Sequence, residues 1–276
     1  MDRESTTGGT PAAVDLEPDR AHSARMYDYY LGGVTNFPAD REAAALALSV
    51  FPNLLAAARI NRRFMHRSTR FLAQQGITQF LDIGTGIPTS PNLHEVAQQT
   101  NPTARVVYTD NDAIVLTHAR ALLRSTPEGR TAYVHADVTD PERLLASEQV
   151  RGTLDLRRPV ALSLNALLHF VPDELGAHRI VEHLKARLPS GSTLTVSHVT
   201  PDFDPEGIAR LTDAYRAAGT AGQARTREEV LRFFAGWELL DPGLVPTHRW
   251  HPDPGDLAHT ITDAESSGYA AVARKP

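Results

Sequence analysis

The residues best suited to chemistry lie in one short stretch, Phe80-Leu81-Asp82-Ile83-Gly84-Thr85-Gly86-Ile87-Pro88. An apolar run ending in two glycines one residue apart reads as a strand that turns sharply into a loop. Glycine carries no Cβ, so the backbone at Gly84 and Gly86 can turn tightly and let a ligand come close. Two more acids follow in similar settings. Asp110 ends the run Val106-Val107-Tyr108-Thr109, 24 residues after Gly86, and Asp137 follows His135-Ala136 and precedes Val138. A carboxylate at the tip of a second strand suits a ribose diol, because it can accept both hydroxyl protons. A carboxylate at a third tip can accept from an exocyclic amino group such as that of adenine. A lone Gly-x-Gly equally suits an ordinary turn; three such positions at successive strand tips point to a nucleotide site.

Two features select among nucleotides. A dinucleotide loop needs a third glycine and open N–H groups to cradle a pyrophosphate, and Pro88 has no N–H to offer. Asp82 would set negative charge beside a phosphate. Both features disfavour NAD and FAD. They suit S-adenosylmethionine, which has adenine and ribose but no phosphate, and whose amino group Asp82 could hold directly or through water. A non-catalytic S-adenosylmethionine-binding sensor and an NAD(P)-dependent oxidoreductase on the same sheet are the alternatives, since a fold and a loop do not prove turnover.

These residues need strands to carry them, and the periodicity supplies candidates. Short apolar runs at Gln79–Ile83, Arg105–Thr109, Ala132–Ala136, Val160–Leu164 and Thr193–Ser197 alternate with helical patterns at Asn92–Gln99, Asp112–Leu123, Pro141–Leu145 and Asp173–Leu188. That alternation predicts βαβ units and a Rossmann-like, doubly wound, mostly parallel sheet with helices on both faces. Helices near Glu206–Ala218 and Thr226–Phe234 follow. Strands near Trp237–Leu240 and Tyr269–Ala273 then have no crossover helix between them, and are expected to pair antiparallel at one edge. Before the sheet, Leu54, Ala58, Asn61, Met65, Ser68 and Leu72 recur three or four apart, predicting helix from about Asp40 to Gln75, with Asn53 as a cap and Gly76 as a stop. The expected organisation is a disordered tail over residues 1–20 and a single domain over 21–276, made of a helical cap (21–76) and an α/β core (77–276).

At this point the chain resembles the class I S-adenosylmethionine-dependent methyltransferases, and more narrowly an actinobacterial S-adenosyl methyltransferase family first catalogued as a domain of unknown function. The similarity is carried by Arg25-Met26-Tyr27-Asp28-Tyr29-Tyr30-Leu31-Gly32-Gly33, Asn36-Phe37, Asp40-Arg41-Glu42 and the Asp82 loop. It continues through Asp110-Asn111-Asp112, Leu168-His169-Phe170-Val171-Pro172-Asp173 and Ser197-His198-Val199-Thr200-Pro201-Asp202 to the C-terminal segment Phe233–Val245. The resemblance implies that Asp82, Gly84, Thr85 and Gly86 surround the methionine part of the cofactor. It implies that Asp110 takes the ribose hydroxyls, that Asn111, Asp137 and Val138 lie at the adenine, and that Asn165 and Ala166 lie near the sulfonium.

Other side chains have functional readings beside plainer ones. Tyr27, Tyr29, Tyr30 and Phe37, broken by Gly32 and Gly33, read as a latch packing the cap or as a lid over the cofactor, with Tyr30 against it and the glycines as a hinge. Arg59, Arg62, Arg63, Arg67 and Arg70 read mainly as a solvated helix face, with Arg63 assigned to the cofactor carboxylate. His169, after the fourth strand, is the candidate general base, its rival reading being a packed histidine at a helix start. His198 is a weaker case of the same kind. His178 with Glu182, and His248 with His251, lack a third ligand at a convincing spacing, so no metal site is expected.

Composition bounds the rest. The 276 residues contain 28 basic and 33 acidic side chains, a net charge of −5 that disfavours nucleic-acid or anionic-membrane binding through bulk charge. There is no cysteine, which removes thiol nucleophiles and cysteine-ligated metal. The polar N-terminus, Met1 to Pro11, has no apolar core of signal-peptide length, and no run is long enough to span a bilayer, so a cytoplasmic protein acting on a small-molecule acceptor is expected.

Overall fold

The structure is a computed structural model that describes residues 17–122, 124–255 and 260–276. The tail predicted over 1–20 lies outside the described residues as far as residue 16. Residues 17–20 form a turn in which the Arg20 N–H donates to the Glu17 carbonyl (3.2 Å).

Three helices come first: α1 (Ser23–Tyr30), α2 (Pro38–Val50) and α3 (Leu54–Gln74). The tyrosine-rich segment expected as a lid is thus itself helical. The helix expected from Asp40 to Gln75 is two helices, bent by 104° between Val50 and Leu54. Pro52 explains the break: it has no N–H to continue the ladder and drives the residue before it out of the helical region, leaving Phe51 at φ −140° and ψ 84°. Asn53 does start α3, although its side chain makes no capping bond.

The α/β part then runs β1 (Gln79–Ile83), α4 (Leu93–Thr100), β2 (Arg105–Asp110), α5 (Ala113–Leu122), β3 (Arg130–His135), α6 (Pro141–Ala146), α7 (Glu148–Thr153), β4 (Ala161–Asn165), α8 (Ala177–Ala186) and β5 (Thr193–Val199). It closes with α9 (Pro205–Ala217), α10 (Arg227–Arg232), β6 (Glu238–Leu239), β7 (Val245–Pro246), α11 (Asp263–Ser266) and β8 (Gly268–Arg274). The sheet order is β3-β2-β1-β4-β5-β8-β6, with β7 also on β8. The five strands β1–β5 pair in parallel; β8 is antiparallel to β5 along one side and to β6 and β7 along the other. The antiparallel pairing expected between the last two predicted strands is present, and β8 also carries the sheet across to β5.

Alternation along the strands sorts the core into two layers. Leu81, Ile83, Val107, Leu162 and Val196 face a layer closed by α6, α7, α8 and α10, through Leu144, Val150, Ile180 and Phe233. Phe80, Val106, Tyr108 and Val272 face the other side, against Phe64 and Leu72 of α3, Leu93 of α4 and Trp250. In β1, Asp82 shares the face of Phe80. It therefore points toward α3 and the cap rather than into the opposite layer. A third cluster joins the cap helices to α9: Met26, Tyr30, Ala47, Phe51 and Ala58 pack on Ile208, Leu211 and Tyr215. Among the described residues no single helix is long and apolar enough to cross a membrane.

Candidate functional site

The sheet order reverses between β1 and β4, and that is where the carboxyl ends of the strands open a crevice. The loop after β1 is fixed by the Thr109 carbonyl, which accepts from the N–H groups of Gly84 (2.9 Å) and Thr85 (3.1 Å). Gly84 and Gly86 sit at φ +73° and +68°, a region that side-chain-bearing residues rarely enter. A Cβ on Gly84 would fall 2.6 Å from Leu167 Cδ1. Asp110 completes the frame: its Oδ2 accepts from the Gly86 N–H (2.8 Å) and its Oδ1 from the Asp112 N–H (2.9 Å). Each oxygen keeps a further lone pair for a donor from a ligand.

The tip of β4 is strained. Ala166 sits at φ +51°, held there by its N–H donating to the carbonyl (3.1 Å) and hydroxyl (2.9 Å) of Ser197 on β5. Ser197 Oγ in turn donates to Asn61 Oδ1 (2.5 Å), Asn61 Nδ2 to Tyr27 Oη (2.9 Å), and Tyr27 Oη to the Ala58 carbonyl (2.9 Å). A hydrogen-bond chain therefore ties the turn after β4 to α3 and α1. A second tie is ionic: buried Arg25 lies 3.0 Å from Asp112 and 3.7 Å from Asp40, anchoring α1 and α2 to the residue that supports Asp110.

The strand tips open onto two adjoining cavities that share Gly84, Asp110, Asn111, Leu167 and Phe170. One, of about 220 Å³, runs under the cap and is lined by Asp82, Thr85, Gly86, Asn165, Ala166 and His169. The other, of about 490 Å³, lies toward β3 and is lined by Asp137, Val138 and Thr139. Asp137 is exposed; its Oδ1 accepts from the Thr139 N–H and hydroxyl (2.8 Å each), and Asn111 Nδ2 lies 3.4 Å from its Oδ2.

Burial governs the ionisation of this site. Asp82 is enclosed, and burial lifts its carboxyl to about 7 although the Arg62 guanidinium pulls the other way. Burial also lifts Asp110, opposed by the N–H bonds from Asp112 and Gly86. His169 is pushed down to about 3 by burial and then by Arg225, so its ring is neutral throughout the physiological range. His198 is also neutral and fixed, with Nδ1 donating to the Val199 carbonyl (2.7 Å) and Nε2 accepting from Arg225 (2.9 Å). That arrangement favours its reading as a packed, structural histidine.

The structure thus places Tyr30, Asp82, Gly84, Thr85, Gly86, Asp110, Asn111, Asp137, Val138, Asn165, Ala166 and His169 around the two joined cavities. Arg63 is not among them: it is exposed and lines neither cavity. Its neighbour Arg62 faces the site instead, donating to the carbonyls of Thr89 and of Pro91 (2.9 Å) and biasing Asp82. Helical geometry of about 100° per residue explains the correction: Arg62 lies roughly 80° from the centre of the stripe through Asn61 and Met65, and Arg63 roughly 180° from it. Sequence reasoning also missed Tyr215, whose hydroxyl meets that of Tyr30 at 3.0 Å, and Arg225, which no local pattern marks.

The cofactor expected from the sequence has matching features here. Asn165 Oδ1 is enclosed without a hydrogen-bond partner at the tip of β4, an acceptor suited to an ammonium group. Asp82 is an acid poised to ionise when a cation arrives. Pro88 stiffens the loop beside them and has no N–H to offer a phosphate.

The comparisons with known proteins agree. The profile described as S-adenosyl methyltransferase matches residues 9–276. A DUF574 family protein from Streptomyces avermitilis is 50% identical, with 95% of this chain and 100% of that one covered at a TM-score of 0.92. A protein from Thermobifida fusca, described provisionally as a methyltransferase, is 41% identical over 94% of this chain and 97% of its own, with a TM-score of 0.87. The plantazolicin methyltransferase BpumL, solved with S-adenosylhomocysteine, shares the fold alone, at 10% identity over 92% and 96% of the two chains and a TM-score of 0.52. No curated protein matches the chain. With a profile spanning nearly its full length and two relatives of the same shape, the chain belongs to the S-adenosyl methyltransferase family, and S-adenosylmethionine is its cofactor.

Proposed function

We propose that this methyltransferase acts on a small-molecule acceptor bound between the cap and the tips of β4 and β5, as one catalytic domain over residues 21–276 working in the cytoplasm. The observation that carries this reading is the cavity itself, which leaves the strand tips and continues under α1, α3 and α9 into a mostly apolar space. A space of about 220 Å³ under the cap suits a small molecule.

S-adenosylmethionine supplies an electrophilic methyl group on a sulfonium. The chain's own groups do the holding. In this reading Asp110 accepts from the ribose hydroxyls, Asn111, Asp137 and Val138 border the adenine, and Gly84, Thr85 and Gly86 let the backbone pass close to the amino-acid tail. Asp82 and Asn165 take the tail's ammonium, and Tyr30 closes the cap side. His169 receives the proton of the acceptor. Its low affinity for protons at rest does not bar that role, because a nucleophile that is already bonding to carbon becomes far more acidic than before. Exclusion of water by the cap matters as much, since water competes as an acceptor.

Asp82 provides the test of the cofactor's seat. In the ligand-free protein its carboxyl holds a proton below about pH 7. Partnering an ammonium group requires the ionised form, so binding at pH 6 should release close to one proton. Affinity for S-adenosylhomocysteine should fall by up to roughly ten-fold per pH unit below 7. Calorimetry in two buffers of different ionisation enthalpy reads the proton directly, and Asp82→Asn should abolish its release. Binding that is pH-independent between 5 and 7 in the wild type would place the ammonium elsewhere. Stability of the ligand-free protein should run in the opposite direction to this affinity. A carboxyl raised in the folded state stabilises at low pH and loses that contribution as pH rises from about 4, its ordinary value, to about 7.

A further inference from the structure

The acceptor end of the cavity has a distinct chemistry. Tyr30, Phe51, Ala58, Ile208, Leu211 and Tyr215, all buried, form its wall. Charged side chains line the cavity only at the cofactor end, as Arg62, Asp82 and Asp110, among the described residues. Arg62 is already engaged by the carbonyls of Thr89 and Pro91, and the two acids belong to the cofactor's seat. A cationic amine would enter this space without a carboxylate to meet it, and a carboxylate without a cation. Either would give up its hydration uncompensated. Three of these six, Tyr30, Phe51 and Tyr215, are aromatic, and their edges and faces suit a flat ring.

One polar group there is unsatisfied. His169 lines the cavity, and its Nδ1 is enclosed with no hydrogen-bond partner, while its neighbour His198 is fully engaged by Arg225 and Val199. A neutral imidazole with a nitrogen to spare calls for a donor. Among neutral hydroxyls a phenol is the most acidic, near 10 for tyrosine.

We propose, building on the methyl-transfer reading above, that the acceptor is an uncharged, flat aromatic molecule that presents a phenolic hydroxyl to His169. The phenolic oxygen forms its bond to the methyl carbon as the bond from that carbon to sulfur breaks. The electron pair of the broken bond stays on sulfur, and the hydroxyl proton passes to a ring nitrogen of His169. The products are an aryl methyl ether, a neutral thioether and an imidazolium that returns its proton to solvent.

The experiment uses the full chain saturated with S-adenosylhomocysteine and three probes of one shape: 2-naphthol, 2-naphthoate and 2-naphthylmethylamine. Calorimetry should show 2-naphthol binding at least ten-fold more tightly than either charged analogue. With S-adenosylmethionine, only 2-naphthol should yield its methyl ether. Leu211→Trp should remove naphthol binding while leaving the affinity for S-adenosylhomocysteine unchanged; should that variant fail to fold, Ala58→Phe narrows the same wall from α3. His169→Asn should keep naphthol binding and lower turnover by roughly 10²–10⁴-fold. Equal or tighter binding of a charged analogue, or no naphthol binding by a complex that does hold S-adenosylhomocysteine, overturns the proposal and leaves the methyl-transfer reading standing. Failure to bind S-adenosylhomocysteine at all, measured first and alone, overturns both.

Discussion

Asp110→Ala is expected to weaken S-adenosylhomocysteine binding by roughly 10²–10⁴-fold, the loss of two hydrogen bonds to a charged acceptor at about 1.5–3 kcal/mol each. Two parts of that loss can be separated. The carboxylate also accepts from the N–H groups of Gly86 and Asp112, so the alanine variant loosens the glycine loop as well as the ribose seat. Asparagine is no clean substitute, because its NH₂ would face one of those N–H donors. A cycle with the ligand resolves the matter. Wild type should lose much of its affinity for an S-adenosylhomocysteine analogue that lacks both ribose hydroxyls, whereas Asp110→Ala should bind the two ligands nearly equally. If both proteins discriminate to the same degree, Asp110 serves only the loop, and the ribose is held elsewhere.

Much of that seat is legible in the chain because strand alternation is a strict code. Once Gln79–Ile83 is a strand, the apolar Phe80, Leu81 and Ile83 need burial on both faces, and Asp82 falls on the face of Phe80. Acids at the ends of β2 and β3 follow from the same logic, since parallel strands bring their carboxyl ends to one edge. What escapes the sequence depends on partners distant in the chain. β8 lies between β5 and β6, a placement set by its pairing with β5 across 69 to 81 residues, which no local pattern announces. The break between α2 and α3 was within reach, because Pro52 stands in the sequence, but the stripe on either side of it masks a change of helix. Arg62 and Arg63 differ by a single step around a helix that is apolar on one side. Only knowledge of which side faces the sheet separates a residue at the cofactor from one in solvent.

The cap's attachment follows from the same long-range logic. Arg25, Asp40 and Asp112 are all buried, and they join segments that meet only in the folded chain. Together with the Ser197–Asn61–Tyr27 chain, they couple the seat of the cofactor to the roof over the acceptor. A polar network of this kind fixes one arrangement of the cap, because any slip would strand buried charge or unpaired amide groups.

Arg225→Met is expected to lower the melting temperature by on the order of 10 °C, and to cost catalysis more than cofactor affinity. The side chain is fully buried. Its Nη1 donates to the Leu168 carbonyl (2.8 Å) and His198 Nε2 (2.9 Å), and its Nη2 to the Val171 carbonyl (2.9 Å) and Asp173 Oδ1 (2.7 Å). The guanidinium also lies over the Phe233 ring at 5.2 Å. Methionine fills the volume but leaves two carbonyls and an imidazole nitrogen without donors, a loss of about 3–5 kcal/mol. At about 2–4 °C for each kcal/mol in chains of this size, the shift should be evident in a thermal melt. Three of these bonds hold the turn that runs from β4 past His169 to Asp173, so its distortion moves the proton acceptor and leaves the β1 and β2 tips in place. Arg225 is also the charge that, after burial, holds His169 low. Its removal should move the His169 titration upward from about 3 toward the ordinary imidazole value, which NMR of the ring protons would follow. A variant that melts like the wild type would show that the turn is held by its backbone bonds without Arg225, and a His169 titration that stays where it was would show that burial alone holds the ring low.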